Sequence, residues 1–132
     1  MNNFDLFYDT KNNCIFLSIN NGRKYMFKFT PEKFGEFFNI MSVIEDYYLR
    51  VNKYLEAIKS GKNYGCSKTI SLPPSMYGKT YINLSFFKEP IIYIQIIDNL
   101  NLVEDKFYID ISQIKYLINI YKKLFKKGDN LQ

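Results

Sequence analysis

The chain lacks histidine and tryptophan altogether, and only two of its 132 residues are cysteines. Without histidine, the commonest general base and the commonest metal ligand are missing. Cys14 and Cys66 lie far apart in the sequence, whereas a zinc site needs a cluster of ligands. We therefore expect no zinc site and no cofactor.

Signatures of catalysis are equally scarce. Glu45 and Asp46 fall on the polar side of a predicted helix, where solvated carboxylates are the ordinary outcome. The glycine-containing loop 60–65 does not have the spacing of a phosphate-cradling loop. We expect a protein that is not an enzyme.

Long apolar runs and targeting signals are also missing. The longest apolar run, residues 91–97, is interrupted by Gln95 and is too short to span a bilayer. The first five residues show neither a basic nor an apolar signal-peptide region. We expect no membrane association, a cytoplasmic location and free thiols.

Aromatic residues and positive charge are what the chain has in quantity. It contains 12 Phe and 12 Tyr, and 47 % of its residues are hydrophobic, which argues for a folded chain. The length favours one domain, residues 1–132. With 18 basic and 13 acidic residues the formal net charge is +5, which suits a polyanionic partner.

The first half of the chain predicts three strands followed by a helix. Two polar turns, 9–13 and 20–22, separate the strand-like runs Phe4 to Tyr8, Cys14 to Ile19 and Arg23 to Phe29. Thr30-Pro31-Glu32 then has the composition of a helix start, with Thr as the capping residue. Apolar spacing predicts a long helix from about Pro31 to Lys59, with a break considered near Tyr47.

The second half repeats this order. Its three strands are Thr80 to Phe87, Ile91 to Ile97 and Lys106 to Ile109, and Thr69 to Leu72 is a further candidate for a short edge strand. Asp110 and Gln113 have the spacing of a capping box, and the last helix is predicted to run to about Lys126. Its final lysines, Lys122, Lys123, Lys126 and Lys127, either stabilise the helix end or contact phosphates or an acidic partner.

This order predicts an α+β fold made of two β-β-β-α units, with halves at about 1–60 and 67–127. Antiparallel sheet or sheets would carry the two helices packed on one face. Alternation along the strands assigns these residues to the helix-facing side: Ile15, Leu17, Ile19, Tyr25, Phe27, Phe29, Ile82, Leu84, Phe86, Ile92, Ile94, Ile96, Phe107 and Ile109.

The opposite side of the strands is unusually aromatic and basic. Flat rings stack on unpaired bases and lysines neutralise phosphates, so this composition indicates single-stranded nucleic-acid binding. The predicted stacking residues are Phe7, Phe16, Tyr81, Tyr93 and Tyr108. The predicted phosphate contacts are Lys24, Lys28, Lys79, Lys88 and Lys106.

Two other interpretations of the same side stay open. A second sheet, the segment around Leu72 or a partner subunit would bury those rings, since aromatic residues also pair well across strands. Alternatively, the apolar side is a protein-docking surface of an accessory or inhibitor protein, for example one encoded by a phage or plasmid. A homo-oligomer is also expected, because the sheet leaves edges to protect.

One strand-to-helix passage resembles a known family. Lys28-Phe29-Thr30-Pro31-Glu32-Lys33-Phe34 is similar to the passage from last strand to helix in positive-coactivator-type single-stranded-DNA-binding domains. The doubled β-β-β-α order resembles the Whirly arrangement of that fold. The resemblance implies a curved sheet of four strands per unit and binding of single strands without strong sequence preference. It carries over no binding residues, because the Whirly-type Lys-Gly-Lys-Ala-Ala segment is missing.

Overall fold

The computed structural model describes residues 2–126, apart from the side chain of Lys126. It confirms the α+β class. The elements in chain order are β1 (Phe4–Asp9), β2 (Cys14–Asn20), β3 (Lys24–Phe29), α1 (Phe34–Lys59), β4 (Cys66–Ser71), β5 (Lys79–Phe86), β6 (Pro90–Ile97), β7 (Val103–Ile109) and α2 (Ile111–Tyr121).

The strands form two antiparallel sheets, in each of which consecutive strands are neighbours. Sheet A has the order β1-β2-β3, and sheet B has the order β4-β5-β6-β7. The turns between strands use residues that tolerate a positive φ, such as Asn13 at 52° and Gly22 at 79°. The hairpin signals in the sequence therefore correspond to real chain reversals.

The described residues divide into two compact units. Unit 1 consists of residues 2–45 and 112–126, and it contains sheet A, the first part of α1 and α2. Unit 2 consists of residues 46–111, and it contains the rest of α1 and sheet B. The expected organisation as one domain, residues 1–132, stays a prediction.

Aromatic rings join the helices of unit 1 to sheet A. Phe37 of α1 lies with its ring centroid 5.2 Å from that of Phe29 on β3. The same ring lies 5.9 Å from Tyr121 of α2 and 5.6 Å from Phe125. Each such pair contributes about 0.5–1.5 kcal/mol beyond the burial of its area. The helices are thereby fixed to the inner face of sheet A.

In unit 2, two tyrosines fix the second part of α1 to sheet B. The Tyr47 hydroxyl donates a hydrogen bond of 2.6 Å to the carbonyl oxygen of Ser85 on β5. Burial of this hydroxyl raises the pKa of Tyr47 above its usual value, with a smaller contribution from Cys66. Two turns further along the helix, the Tyr54 ring lies 5.3 Å from that of Phe86.

The predicted division of the strands into two sides is confirmed for the core. Every strand residue assigned to the helix-facing side is buried, from Ile15 on β2 to Ile109 on β7. Period-2 alternation is a reliable guide here because each sheet has one face against helices and one face free of them. The apolar spacing of α1 likewise places Phe37, Met41 and Ile44 in the core.

The helix ends differ in detail from the prediction. Residues Pro31–Lys33 form a 3-10 turn before α1, and Thr30 makes no side-chain cap bond there. The predicted long helix is present, and the break considered near Tyr47 does not occur, because α1 runs unbroken from Phe34 to Lys59. Packing of Tyr47 against sheet B supports the helix at this position. In α2, the side-chain oxygen of Gln113 accepts a 2.8 Å hydrogen bond from the backbone N–H of Asn3. This bond connects α2 to the residue that precedes β1.

Two other boundaries also move. The short edge strand predicted at Thr69 begins earlier, since β4 pairs with β5 from Cys66 onward. α2 ends at Tyr121 and continues as a π-helical turn, Lys122–Lys126. Lys127 and the side chain of Lys126 lie outside the described residues, so the predicted role of the terminal lysines stays a prediction.

Candidate nucleic-acid interface

The structure divides the ten predicted binding residues between the two sheets. Four lie on sheet A, in unit 1: Phe7, Phe16, Lys24 and Lys28. Six belong to sheet B or its turns, in unit 2: Lys79, Tyr81, Lys88, Tyr93, Lys106 and Tyr108. In each sheet, the face that carries these residues is called the outer face.

The outer face of sheet A has an apolar centre. Phe7, Phe16 and Lys28 are direct neighbours across the three strands, and the two phenyl rings lie 6.3 Å apart. The next row holds Met26, which is 42 % exposed, while Phe7 is 60 % exposed. These exposed fractions are large for two apolar side chains that lie on the same face of one sheet.

Charges flank this centre with opposite signs on the two edge strands. Asp5 and Asp9 belong to β1, whereas Lys24 and Lys28 belong to β3. The side chain and backbone of Asn12 donate to the Asp9 carboxylate, which lowers the pKa of Asp9, and Lys28 adds a smaller contribution. The face is therefore apolar and mixed in charge rather than uniformly basic.

The outer face of sheet B has a different character. Tyr93 on β6 and Tyr108 on β7 are paired residues, and their ring centroids lie 5.6 Å apart. The Lys106 ammonium lies 4.6 Å from the centroid of Tyr93 and 5.7 Å from that of Tyr108. Tyr108 is 66 % exposed, so much of its ring surface is free for contact. A cation and two adjacent rings thus share one small area of the face.

Neutral polar side chains lie beside this aromatic and basic cluster. Asn83 is the β5 neighbour of Tyr93, and its Oδ1 accepts a 3.0 Å hydrogen bond from the Thr69 hydroxyl. The described residues offer no hydrogen-bond partner to the buried Nδ2 of Asn83. Tyr81 and Gln95 form the next pair along the same two strands. Sequence reasoning missed this polar strip, although the alternation that selected Tyr81 also places Asn83 on the outer face.

The remaining lysines of sheet B mark the two ends of β5. Lys79 is the first residue of β5, and Lys88 lies in the turn between β5 and β6. Both side chains are exposed. Lys88 and Phe87 also line a cleft of about 400 Å³ next to Tyr64. The Tyr64 ring is stacked on Tyr54 at 5.4 Å with an interplanar angle of 15°. Lys88 therefore lies in the turn at one end of the central strands, outside the cluster around Lys106.

The segment around Leu72 does not cover the outer face. Leu72 is itself buried, and its backbone N–H donates a 2.9 Å hydrogen bond to the carbonyl of Thr80. It therefore continues the ladder between β4 and β5. Coverage of the rings by this segment was one of the interpretations left open by the sequence, and it is wrong.

Other chemistry is limited within residues 2–126. Both cysteines are free, and Cys14 is buried. No group of three or more Cys, Asp or Glu residues in this range is arranged to hold a metal ion. No helix in the described part of the chain is long and apolar enough to cross a membrane.

Comparisons of the chain with protein-family models, with curated proteins and with solved structures found no match.

Proposed function

We propose that the protein binds single-stranded nucleic acid on the outer face of sheet B, without catalysis. The observation that carries the proposal is the cluster of Lys106, Tyr93 and Tyr108. Tyrosine rings supply flat surfaces on which unpaired bases stack, and every base has such a surface. The lysine supplies a positive charge beside them for a phosphate.

The dimensions of the face suit a short single strand. Four strands about 4.8 Å apart and about 20 Å long give a surface for a few nucleotides. Lys79 begins the central strand β5 at one end of this surface, and Tyr81 follows it on the same face.

Polar groups beside the rings add a second mode of contact. Thr69 lies in the same row across the sheet as Asn83, Tyr93 and Tyr108, and its exposed hydroxyl would offer a hydrogen-bonding group on the face that carries the rings. The protein would then hold bases by stacking and by a small number of hydrogen bonds. Its net charge of +5 favours association with a polyanion. We place this activity in the cytoplasm.

A fluorescence-anisotropy titration tests the proposal directly. Labelled single-stranded DNA, single-stranded RNA and duplex DNA of equal length are titrated at two salt concentrations. We expect single strands to bind more tightly than the duplex, because paired bases cannot stack on the tyrosines. Absence of binding at low salt would refute the proposal.

Protein docking is the second candidate function, favoured by the exposure of Phe7 and Met26 on the outer face of sheet A. An accessory or inhibitor protein that acts on a larger enzyme would use such a surface. Salt distinguishes the two functions, because phosphate contacts weaken steeply with ionic strength and an apolar interface does so far less.

A further inference from the structure

The outer face of sheet A has the pattern of a self-complementary surface. Its centre is apolar, with the ring of Phe16 in the middle strand and Phe7 beside it. Asp5 lies on one edge strand, and Lys24 and Lys28 lie on the other. All three charged side chains are exposed. Because one edge is acidic and the opposite edge is basic, two copies of this surface can pair opposite charges with each other.

The register shows how two such faces would meet. Asp5, Ser18 and Met26 occupy one row across the sheet, and Lys24 and Lys28 lie two residues to either side of Met26. A two-fold axis parallel to the strands places β1 of each copy over β3 of the other. Asp5 then lies above Met26, between the two lysines of the facing copy. An axis across the strands would instead place β1 over β1 and bring like charges together.

We propose that a second copy of this chain docks on the outer face of sheet A, face to face, through this two-fold arrangement. The mixed charge selects the occupant. A nucleic acid would meet the carboxylates of Asp5 and Asp9 on the same face, and a purely apolar partner would leave four charged side chains without a counterpart. A second copy pairs both signs and covers Phe7 and Met26 in one step.

The face is small for a specific protein interface. Three strands spaced about 4.8 Å apart, each about 20 Å long, give a face of about 14 by 20 Å. Two such faces with their projecting side chains would bury on the order of 1,000 Å² in total, at the lower end of specific interfaces. We expect a weak dimer with a micromolar dissociation constant that depends on protein concentration.

This proposal is independent of nucleic-acid binding, because it concerns unit 1 and needs no ligand. Sedimentation velocity over a range of concentrations of the full chain measures it. We expect wild type to shift from monomer to dimer as concentration rises. Asp5→Lys places a lysine where Asp5 would lie between Lys24 and Lys28 of the facing copy, and Lys24→Glu with Lys28→Glu makes both edges acidic. Each variant alone is expected to stay monomeric.

Mixing the two variants gives the decisive result. In the mixture, the lysine introduced at position 5 of one variant faces the glutamates introduced at positions 24 and 28 of the other, and at the second contact Asp5 faces Lys24 and Lys28. The equimolar mixture is therefore expected to dimerise as wild type does. Circular dichroism spectra and thermal unfolding check that both variants are folded. Phe7→Ala keeps every charge and is expected to weaken the wild-type dimer. A wild type that stays monomeric at the highest concentration, or a mixture that does not dimerise, would overturn the proposal.

Discussion

Replacing Tyr108 with alanine is the sharpest test of the nucleic-acid interface. Its ring is 66 % exposed and lies 5.6 Å from the ring of Tyr93, so it supplies most of the free aromatic surface in the cluster. Removal of one stacked base contact costs about 1–3 kcal/mol of binding free energy. The dissociation constant for a single strand should therefore rise about 5- to 150-fold.

Stability should change much less than affinity in this variant. Because most of the Tyr108 side chain is exposed, its truncation removes little buried area, and we expect a loss of no more than about 1 kcal/mol in unfolding free energy. Tyr108→Phe keeps the ring and is expected to bind nearly as wild type does. A fall in affinity that Phe restores therefore reports stacking rather than unfolding.

Phe7→Ala is the matched control, since Phe7 is an exposed aromatic residue of similar exposure on sheet A. Anisotropy titrations with one labelled oligonucleotide compare the variants at protein concentrations where the chain is monomeric by sedimentation. We expect Phe7→Ala to leave the affinity unchanged. Unaltered binding by Tyr108→Ala, or an equal loss in Phe7→Ala, would refute the assignment of the interface to sheet B.

Three further measurements probe other features of the structure. In titrations across salt concentrations, Lys106→Ala should reduce the slope of log K against log salt by about 0.7, the value for one phosphate of a single strand, whereas Lys28→Ala should leave it unchanged. Tyr47→Phe leaves a strand carbonyl without its 2.6 Å hydrogen bond and should cost about 1–3 kcal/mol in urea unfolding at neutral pH. Burial raises the pKa of Tyr47 above 10.0, so its contribution to stability is complete below about pH 10 and is lost as the pH rises further. The difference in unfolding free energy between wild type and Tyr47→Phe should therefore become smaller above about pH 10. A difference that stays constant with pH would contradict this. Gly78→Ala should destabilise the protein more than Gly22→Ala, since a Cβ at Gly78 would clash with the backbone oxygen of Ile97, while one at Gly22 meets nothing within 4 Å. Equal melting temperatures of the two variants would refute the packing argument.

Much of the fold follows from local patterns in the sequence. Alternation assigned residues such as Phe27 and Ile94 to the buried side, and both are buried. The positions of the hairpins followed from polar turns, because residues such as Asn13 and Gly22 readily adopt a positive φ. These features depend on interactions between residues close in the chain, so one sequence suffices to find them.

The features that the sequence did not reveal depend on contacts between distant residues. Alternation separates two faces of a strand but does not say which strands share a sheet, and so it could not divide the binding residues between sheets A and B. The bond between Asn3 and Gln113 joins residues 110 positions apart, and no local spacing predicts it. Nor does a single sequence distinguish an exposed ring such as Tyr108 from one that another layer would cover.

The division of the chain into units has a consequence for the order in which the protein is made. Unit 2, residues 46–111, is one uninterrupted stretch, whereas unit 1 needs residues 2–45 and α2 from the other end. Synthesis proceeds from the N-terminus, and compact regions generally fold as units. Sheet A is synthesised first, yet unit 1 is complete only once α2 has been synthesised. Unit 2 can therefore fold completely before β1 to β3 of unit 1, which are synthesised earlier, pack with α2.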